Sequence, residues 1–338
     1  MPKILSKFLI KTLILAGFFL FAGSSLAAVI FRDNFEYAVG REDSSAASLF
    51  VSQGGWSYVK TYQSGATGSC GYLYTTPSVP GYIGSFPGAS SARVLAVEAR
   101  PASGTGCPVP PGFPGAQTDV YLQLGSEVGP DTTIPENGWI QFWVYSNYYG
   151  NELSTYASRN KFLYPCPGTY PCTNGKWLWM TGSGGCNDPS VSGSNRDQFI
   201  CIESPTANRS NASDDAWRWR LGQNLNTDTK IRANTWTLVK LHIDTSGSQG
   251  RYEAWLKTVS GSWVKVSEYI GGVTPSFTWS VTPGGQRLLR MPTVINYNDS
   301  WQYMDDFVIA QTEADLPTYG SGSSDTTPPA APTGLSVN

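Results

Sequence analysis

The stretch Tyr303-Met304-Asp305-Asp306-Phe307-Val308-Ile309-Ala310 decides how this chain is read, together with its counterpart near the other end, Phe31-Arg32-Asp33-Asn34-Phe35-Glu36-Tyr37. Both set carboxylates among aromatic residues, joined in the C-terminal stretch by the β-branched Val308 and Ile309, a composition that favours strands. The termini of a compact domain commonly lie close together, so the two segments are expected to pair in one sheet and to enclose a single unit.

Working inward, short segments of strand character alternate with connectors rich in turn residues: Trp139 to Tyr145, Lys161 to Tyr164, Lys176 to Met180, Gln198 to Ile202, Trp217 to Leu221, Thr237 to Asp244, Arg251 to Lys257 and Trp263 to Tyr269. With 36 glycines, 23 prolines, 12 tryptophans and only 14% charged residues, no stretch has the length and period of a substantial amphipathic helix. The class is all-β, and strands at this spacing suit a two-sheet antiparallel sandwich. Roughly 290 residues is generous for one sandwich but within the single-domain range. The excess is assigned to loops at 60 to 118 and 181 to 214, and the chain carries no internal repeat.

The F-x-D-x-F-E opening and the Y-x-D-D-F-V-I closing resemble the edges of jelly-roll domains in the concanavalin A-like lectin and glucanase superfamily, whether LamG-like or polysaccharide-lyase-like. The resemblance implies a domain from Val29 to Tyr319 and sugar recognition as its business. It covers the domain's ends and the hairpin from Trp236 to Lys257, and it is weak across the cysteine-rich middle.

Residues 1–27 explain the location. Lys3, Lys7 and Lys11 precede an apolar stretch from Leu13 to Gly23, and Ser25-Leu26-Ala27 supplies a small-residue cleavage pattern, so a secretion signal is expected, with the mature chain starting near Ala28. No later segment approaches the run of roughly 20 apolar residues that spans a bilayer, so membrane insertion is not expected. The leader holds three of the 23 basic residues and none of the 25 acidic ones, so its removal takes the net charge from −2 to −5. That balance argues against a general nucleic-acid binder.

The six cysteines, Cys70, Cys107, Cys166, Cys172, Cys186 and Cys201, all follow the leader. An even number in an oxidising compartment, without C-x-x-C pairs or a histidine cluster, predicts three disulfides rather than zinc. Fifteen connectivities exist in principle. The sterically simplest joins neighbours: Cys70 with Cys107, Cys166 with Cys172 and Cys186 with Cys201.

Side chains alternate across a sheet, which sorts each strand into two faces. Val239, Leu241 and Ile243 form one face of their segment, and Tyr252, Ala254 and Leu256 form one face of the next. Ile140, Phe142 and Val144 do the same, as do Trp217, Trp219 and Leu221. The opposite faces carry Gln141, Trp143, Tyr145, Arg218, Arg220, Lys240, His242, Asp244, Arg251, Glu253, Trp255 and Lys257. From this set Trp143, Tyr145, Arg218, Arg220, Lys240, His242 and Trp255 are the candidate carbohydrate ligands. Aromatic faces stack on sugar rings, and cations pair with uronate or sulfate. A solvated sheet face is the plainer reading of the same residues.

His242 is the only histidine, so any imidazole base must be this one. The strand Leu241-His242-Ile243 resembles the histidine strand of jelly-roll alginate lyases, which would make the chain a polysaccharide lyase acting on an acidic glycan. The Q-[IV]-H triplet, the R-x-E strand and the Y-F-K-A-G-x-Y strand of that family are absent. A hydrolase would need the E-x-D-x-x-E strand of laminarinase-like enzymes, and Glu313-Ala314-Asp315 lacks its second glutamate.

Asp33, Glu36, Asp305 and Asp306 gather several oxygens if the end strands are neighbours, a chemistry that suits a structural calcium. The alternative is that some of them accept backbone hydrogen bonds at strand ends while others face solvent. Beyond the domain, residues 320–338 combine a Gly/Ser linker, Asp325-Thr326-Thr327-Pro328-Pro329 and Pro332-Thr333-Gly334-Leu335-Ser336-Val337. The last of these resembles the first strand of a fibronectin type III-like module. The expectation is therefore a secreted polysaccharide-binding jelly roll. A lyase of the same fold, or a structural or adhesive surface module with a protein partner, are the alternatives.

Overall fold

The computed structural model describes residues 28–41, 45–60, 62–64, 69–80, 82–88, 92–101, 120–125, 135–148, 159–167, 177–181, 199–204, 219–220, 223–224, 229–232, 234–244, 251–259, 261–270, 286–291, 293–295 and 300–319. The leader, the segment from 320 onward, and Cys107, Cys172, Cys186 and Arg218 lie outside them.

The strands are β1 (Val29–Asp33), β2 (Tyr58–Lys60), β3 (Tyr62–Ser64), β4 (Ser69–Thr76), β5 (Val94–Pro101), β6 (Tyr121–Gly125), β7 (Asn137–Tyr148), β8 (Arg159–Pro167), β9 (Trp177–Thr181), β10 (Phe199–Ser204), β11 (Trp219–Arg220), β12 (Gln223–Asn224), β13 (Thr237–Asp244), β14 (Arg251–Thr258), β15 (Val264–Ile270), β16 (Gln286–Met291), β17 (Thr293–Ile295) and β18 (Ser300–Ala310). One short helix, α1 (Ala46–Ser52), and a 3-10 turn at Glu313–Asp315 complete the set among the described residues. The strands form two antiparallel sheets, and the fold is an all-β jelly-roll sandwich. The first sheet runs β12-β15-β14-β13-β7-β18-β5-β4-β3, with β1 also on β18, and the second runs β11-β10-β9-β8-β16-β6-β2, with β17 on β8.

The two ends pair. β1 lies antiparallel to β18, with Phe31 opposite Ile309 and Asp33 opposite Phe307. Inside β18 the register shifts between Asp305 and Val308. Met304 faces the core before the shift and Phe307 and Ile309 face it after, a change of parity that one extra residue explains. Asp306 takes that place with φ +46°, a left-handed conformation that aspartate tolerates better than most residues.

The core lies between the sheets. Ile140, Phe142, Val144, Val239, Leu241, Ile243, Tyr252, Ala254 and Leu256 from the first sheet meet Leu122, Leu124, Ile200, Leu289 and Met291 from the second. These first-sheet residues are the face that alternation selects. The span 60 to 118, expected to be loop, instead contributes β3, β4 and β5, two of them well inside the first sheet. In β5 the run Val94-Leu95-Ala96-Val97 is buried on both faces, so it has no polar alternation to reveal a strand.

Candidate binding face

The outer face of the first sheet is built by the residues that alternate with the core. Register sets them in rows: Trp139 opposite His242 and Gln141 opposite Lys240 across β7 and β13, then His242 opposite Glu253 and Lys240 opposite Trp255 across β13 and β14. A bulge between Ala254 and Trp255 brings Lys265 of β15 opposite Trp255. The rings of Trp139 and His242 stack with centroids 4.3 Å apart and planes 11° apart. Trp139 also leans across β13 onto Trp255, at 5.5 Å and 28°.

Lys240 rises through this aromatic layer and is only 5% exposed. Its ammonium lies 5.7 Å from the ring of Trp139, 5.0 Å from Trp255 and 4.4 Å from Trp263, distances at which a ring face attracts a cation. Its ionic partner is Glu313, on the 3-10 turn that follows β18.

Beside it stands a charge cluster centred on Glu253. Arg251 Nε is 2.7 Å from Glu253 Oε2, His242 Nδ1 is 2.9 Å from the same oxygen, and Lys265 pairs with Oε1 while reaching Glu268 at 2.9 Å. Burial alone would raise the Glu253 carboxyl. The hydrogen bonds from Arg251, His242 and Lys265 outweigh it and pull the group down to about 2. His242 engages its other nitrogen as well, with Nε2 2.8 Å from Asn137 Oδ1.

The segment from Gln311 to Tyr319 crosses this face as a strap. The Thr312 amide and hydroxyl both donate to Asp315 Oδ2, at 3.1 and 2.8 Å, which caps the turn from within. Gln141 Nε2 donates to the Pro317 carbonyl and Lys257 Nζ to the Tyr319 carbonyl, each at 2.8 Å. Under the strap is a cavity of about 150 Å³, lined among others by Gln141, Lys240, Lys257, Trp263, Glu313 and Tyr319. That is well above the roughly 10–15 Å³ that a single water needs.

Of the residues singled out by alternation, Lys240, His242 and Trp255 come together here. Trp143 and Tyr145 share the face but are 2% and 0% exposed. A second layer formed by Val79, Tyr82, Phe86, Trp236 and Tyr319 covers them. Burial also corrects the expectation of a solvated face, since Lys240 and Glu253 are themselves largely enclosed. Arg220 lies in β11, at the edge of the second sheet, so it does not share a face with Lys240. Trp139, Trp263, Glu253 and Glu313 are members that the candidate set omitted. Trp139 was within reach, one step of two before Gln141. Trp263 and Glu313 arrive through a bulged strand pair and a turn, for which alternation gives no signal.

The four terminal carboxylates serve other donors. Asp33 accepts from the Phe35 amide at 2.8 Å, the Tyr37 hydroxyl at 2.7 Å and the Trp56 indole at 2.6 Å. Burial outweighs these bonds and pushes its carboxyl up to about 6. Gly54 closes over this network, because a β-carbon there would lie 2.5 Å from Asp33 Oδ2. Asp306 takes a two-pronged bond from Arg32, at 2.7 and 2.8 Å, and a further one from the Tyr319 hydroxyl. Asp305 accepts from the Gly88 amide at 3.0 Å and Glu36 from the Ala92 amide at 2.9 Å. As placed, these carboxylates point at separate protein donors; among the described residues no group of three or more acidic, histidine or cysteine side chains is set to hold a metal. Cys70, Cys166 and Cys201 belong to β4, β8 and β10, and the disulfide pairing itself falls outside the described residues.

No protein-family model matches the chain, and no curated protein matches it. Among solved structures it is similar to the catalytic domain of a glycoside hydrolase family 131 protein from Coprinopsis cinerea, at 16% identity over 88% of this chain and 99% of that one, with a TM-score of 0.42. A family 131 β-glucanase catalytic domain from Podospora anserina matches at 12% identity over 87% and 100%, with a TM-score of 0.41. An alginate lyase from Klebsiella pneumoniae matches at 8% identity over 67% and 84%, with a TM-score of 0.35. Among the described residues no helix is long and apolar enough to cross a membrane.

Proposed function

We propose that this chain is an exported polysaccharide-binding protein whose ligand lies along the outer face of β7, β13 and β14. The observation that carries the reading is the group Trp139, Trp255, Trp263 and Lys240 beside an open cavity. An antiparallel sheet needs only one apolar face to make its sandwich, and the core between the sheets already supplies it. Half-buried indoles and an enclosed ammonium on the opposite face are therefore more than the sandwich core requires, and their chemistry, apolar ring beside polar tip, is that of a sugar site. His242 supports binding rather than elimination. Both of its nitrogens are hydrogen-bonded and one ring face is stacked, so a base role would require it to give up a partner. Export follows from the leader-like residues 1–27.

The test is a glycan array probed with the purified full chain, repeated with Trp139→Ala. Retention on at least one polysaccharide class, weakened at least about tenfold by the substitution, is the expected result, since a stacked aromatic contributes on the order of 1–3 kcal/mol at hot spots of this type. A chain that binds no glycan on the array, and equally one whose binding survives Trp139→Ala, contradicts the reading.

A further inference from the structure

We infer that the cavity under the strap takes the carboxylate of an acidic sugar, a uronate, in exchange for the side chain of Glu313. The inference rests on the polysaccharide reading and names its substrate class. Two lysines line this one cavity. Lys240 is enclosed by three indoles, and its side chain is 7% exposed, whereas the Glu313 carboxylate that neutralises it belongs to a side chain 55% exposed. An ion pair with one such solvated member is weakly held, because water competes for the exposed partner. The turn does not depend on Glu313 for its shape, since Thr312 and Asp315 cap it from within.

Lys257, the second cation, donates to the Tyr319 carbonyl at 2.8 Å. An ammonium has three donors. Among the described residues this is the one side-chain hydrogen bond of Lys257, which leaves donors for a ligand oxygen. A sugar ring entering beside Trp263 would bring its carboxylate to Lys240 from the side on which Glu313 now sits. Glu313 is in this view a stand-in, an internal carboxylate that keeps an otherwise costly enclosed cation paired until a ligand carboxylate replaces it. A neutral sugar has nothing to exchange and gains nothing from displacing it.

The experiment titrates the full chain with oligosaccharides of galacturonate, glucuronate and mannuronate, and with neutral galactose and glucose oligomers of equal length, reading tryptophan fluorescence. At least one uronate oligomer is expected to bind better than every neutral one. Glu313→Gln should tighten that uronate about tenfold or more, and by clearly more than it changes any neutral oligomer, because a charge-assisted contact is freed for the ligand. Lys240→Met should abolish the preference, and if that variant does not fold, the exposed Glu313→Gln decides alone. Uronate affinity unmoved by Glu313→Gln, or no preference over neutral oligomers, overturns the inference. Neutral oligomers that bind while uronates do not would sink this inference and leave the proposed function standing, whereas silence from every oligomer would count against both.

Discussion

Glu253 and Asp33 are two enclosed carboxylates that the fold treats in opposite ways. Glu253 is held down to about 2 by Arg251, His242 and Lys265, against its own burial. Its folded value lies below its unfolded one, so its contribution to stability is present above the unfolded range near pH 4.5 and is lost as pH falls towards 2. Asp33 is pushed up to about 6 by burial in spite of three donated bonds. Its contribution has the other sign, present below the unfolded value near 3.8 and lost as pH rises through about 6. Denaturant titrations from pH 2 to 8 should therefore show an acid leg that flattens in Glu253→Gln, while a wild-type acid leg retained in that variant would contradict the assignment. Asp306 offers a cleaner single-site test. Asparagine tolerates the left-handed conformation at this position, so Asp306→Asn removes the charge without straining the bulge. Arg32 and the Tyr319 hydroxyl then lose their anionic partner, and a loss of about 3 kcal/mol is expected in chemical denaturation. A loss within about 0.5 kcal/mol, the range of ordinary surface substitutions, would mean that the pair does not tie the ends together.

At the scale of elements, the hairpin β13–β14 with its neighbour β7 has two independent jobs on its two faces. Its inner residues fill the sandwich, and its outer residues carry the Trp139, His242 and Trp255 stack. A double-mutant cycle of Trp139→Ala and Trp255→Ala should give a coupling of about 1 kcal/mol in unfolding free energy, the usual worth of an aromatic pair beyond its buried area. Simple additivity would show that the rings are neighbours without interacting. The strap is the second element with a separable role. Its polar ties to the sheet include those from Gln141, Lys240 and Lys257 on the outer face, beside the bond of the Tyr319 hydroxyl to Asp306. Gln141→Ala should leave the core intact and speed proteolysis within 311–319, read as a nick at the strap before any cut in β13 or β14. First cleavage elsewhere would show that the strap is held by other contacts.

Across the whole molecule, what sequence made legible was the inner face. Alternation in Thr237–Asp244 and Arg251–Thr258 names the residues of both strands that face the core between the sheets, and the end segments pair as their composition suggests. It could not show that Trp143 and Tyr145 are covered, because the layer over them comes from Val79, Tyr82 and Phe86, far away in the chain and joined only by tertiary packing. Nor could it separate Arg220 from Lys240, since membership of a sheet is decided by pairing partners that a local pattern does not encode. The half of the candidate site on one hairpin, Lys240, His242 and Trp255, was therefore readable, and the half that bulges, turns and second layers assemble was not.

The central claim is that the outer face of β7, β13 and β14, and not some other exposed aromatic, holds the glycan. Tyr58 provides the control, being 50% exposed on β2 of the second sheet. The most direct measurement is the affinity of the full chain for its best array glycan by titration calorimetry, in wild type, Trp255→Ala and Tyr58→Ala, with thermal melts to establish that each is folded. Trp255→Ala should lose about tenfold or more in affinity with Tyr58→Ala unchanged. Wild-type affinity in Trp255→Ala, or an equal loss in Tyr58→Ala, would contradict the account.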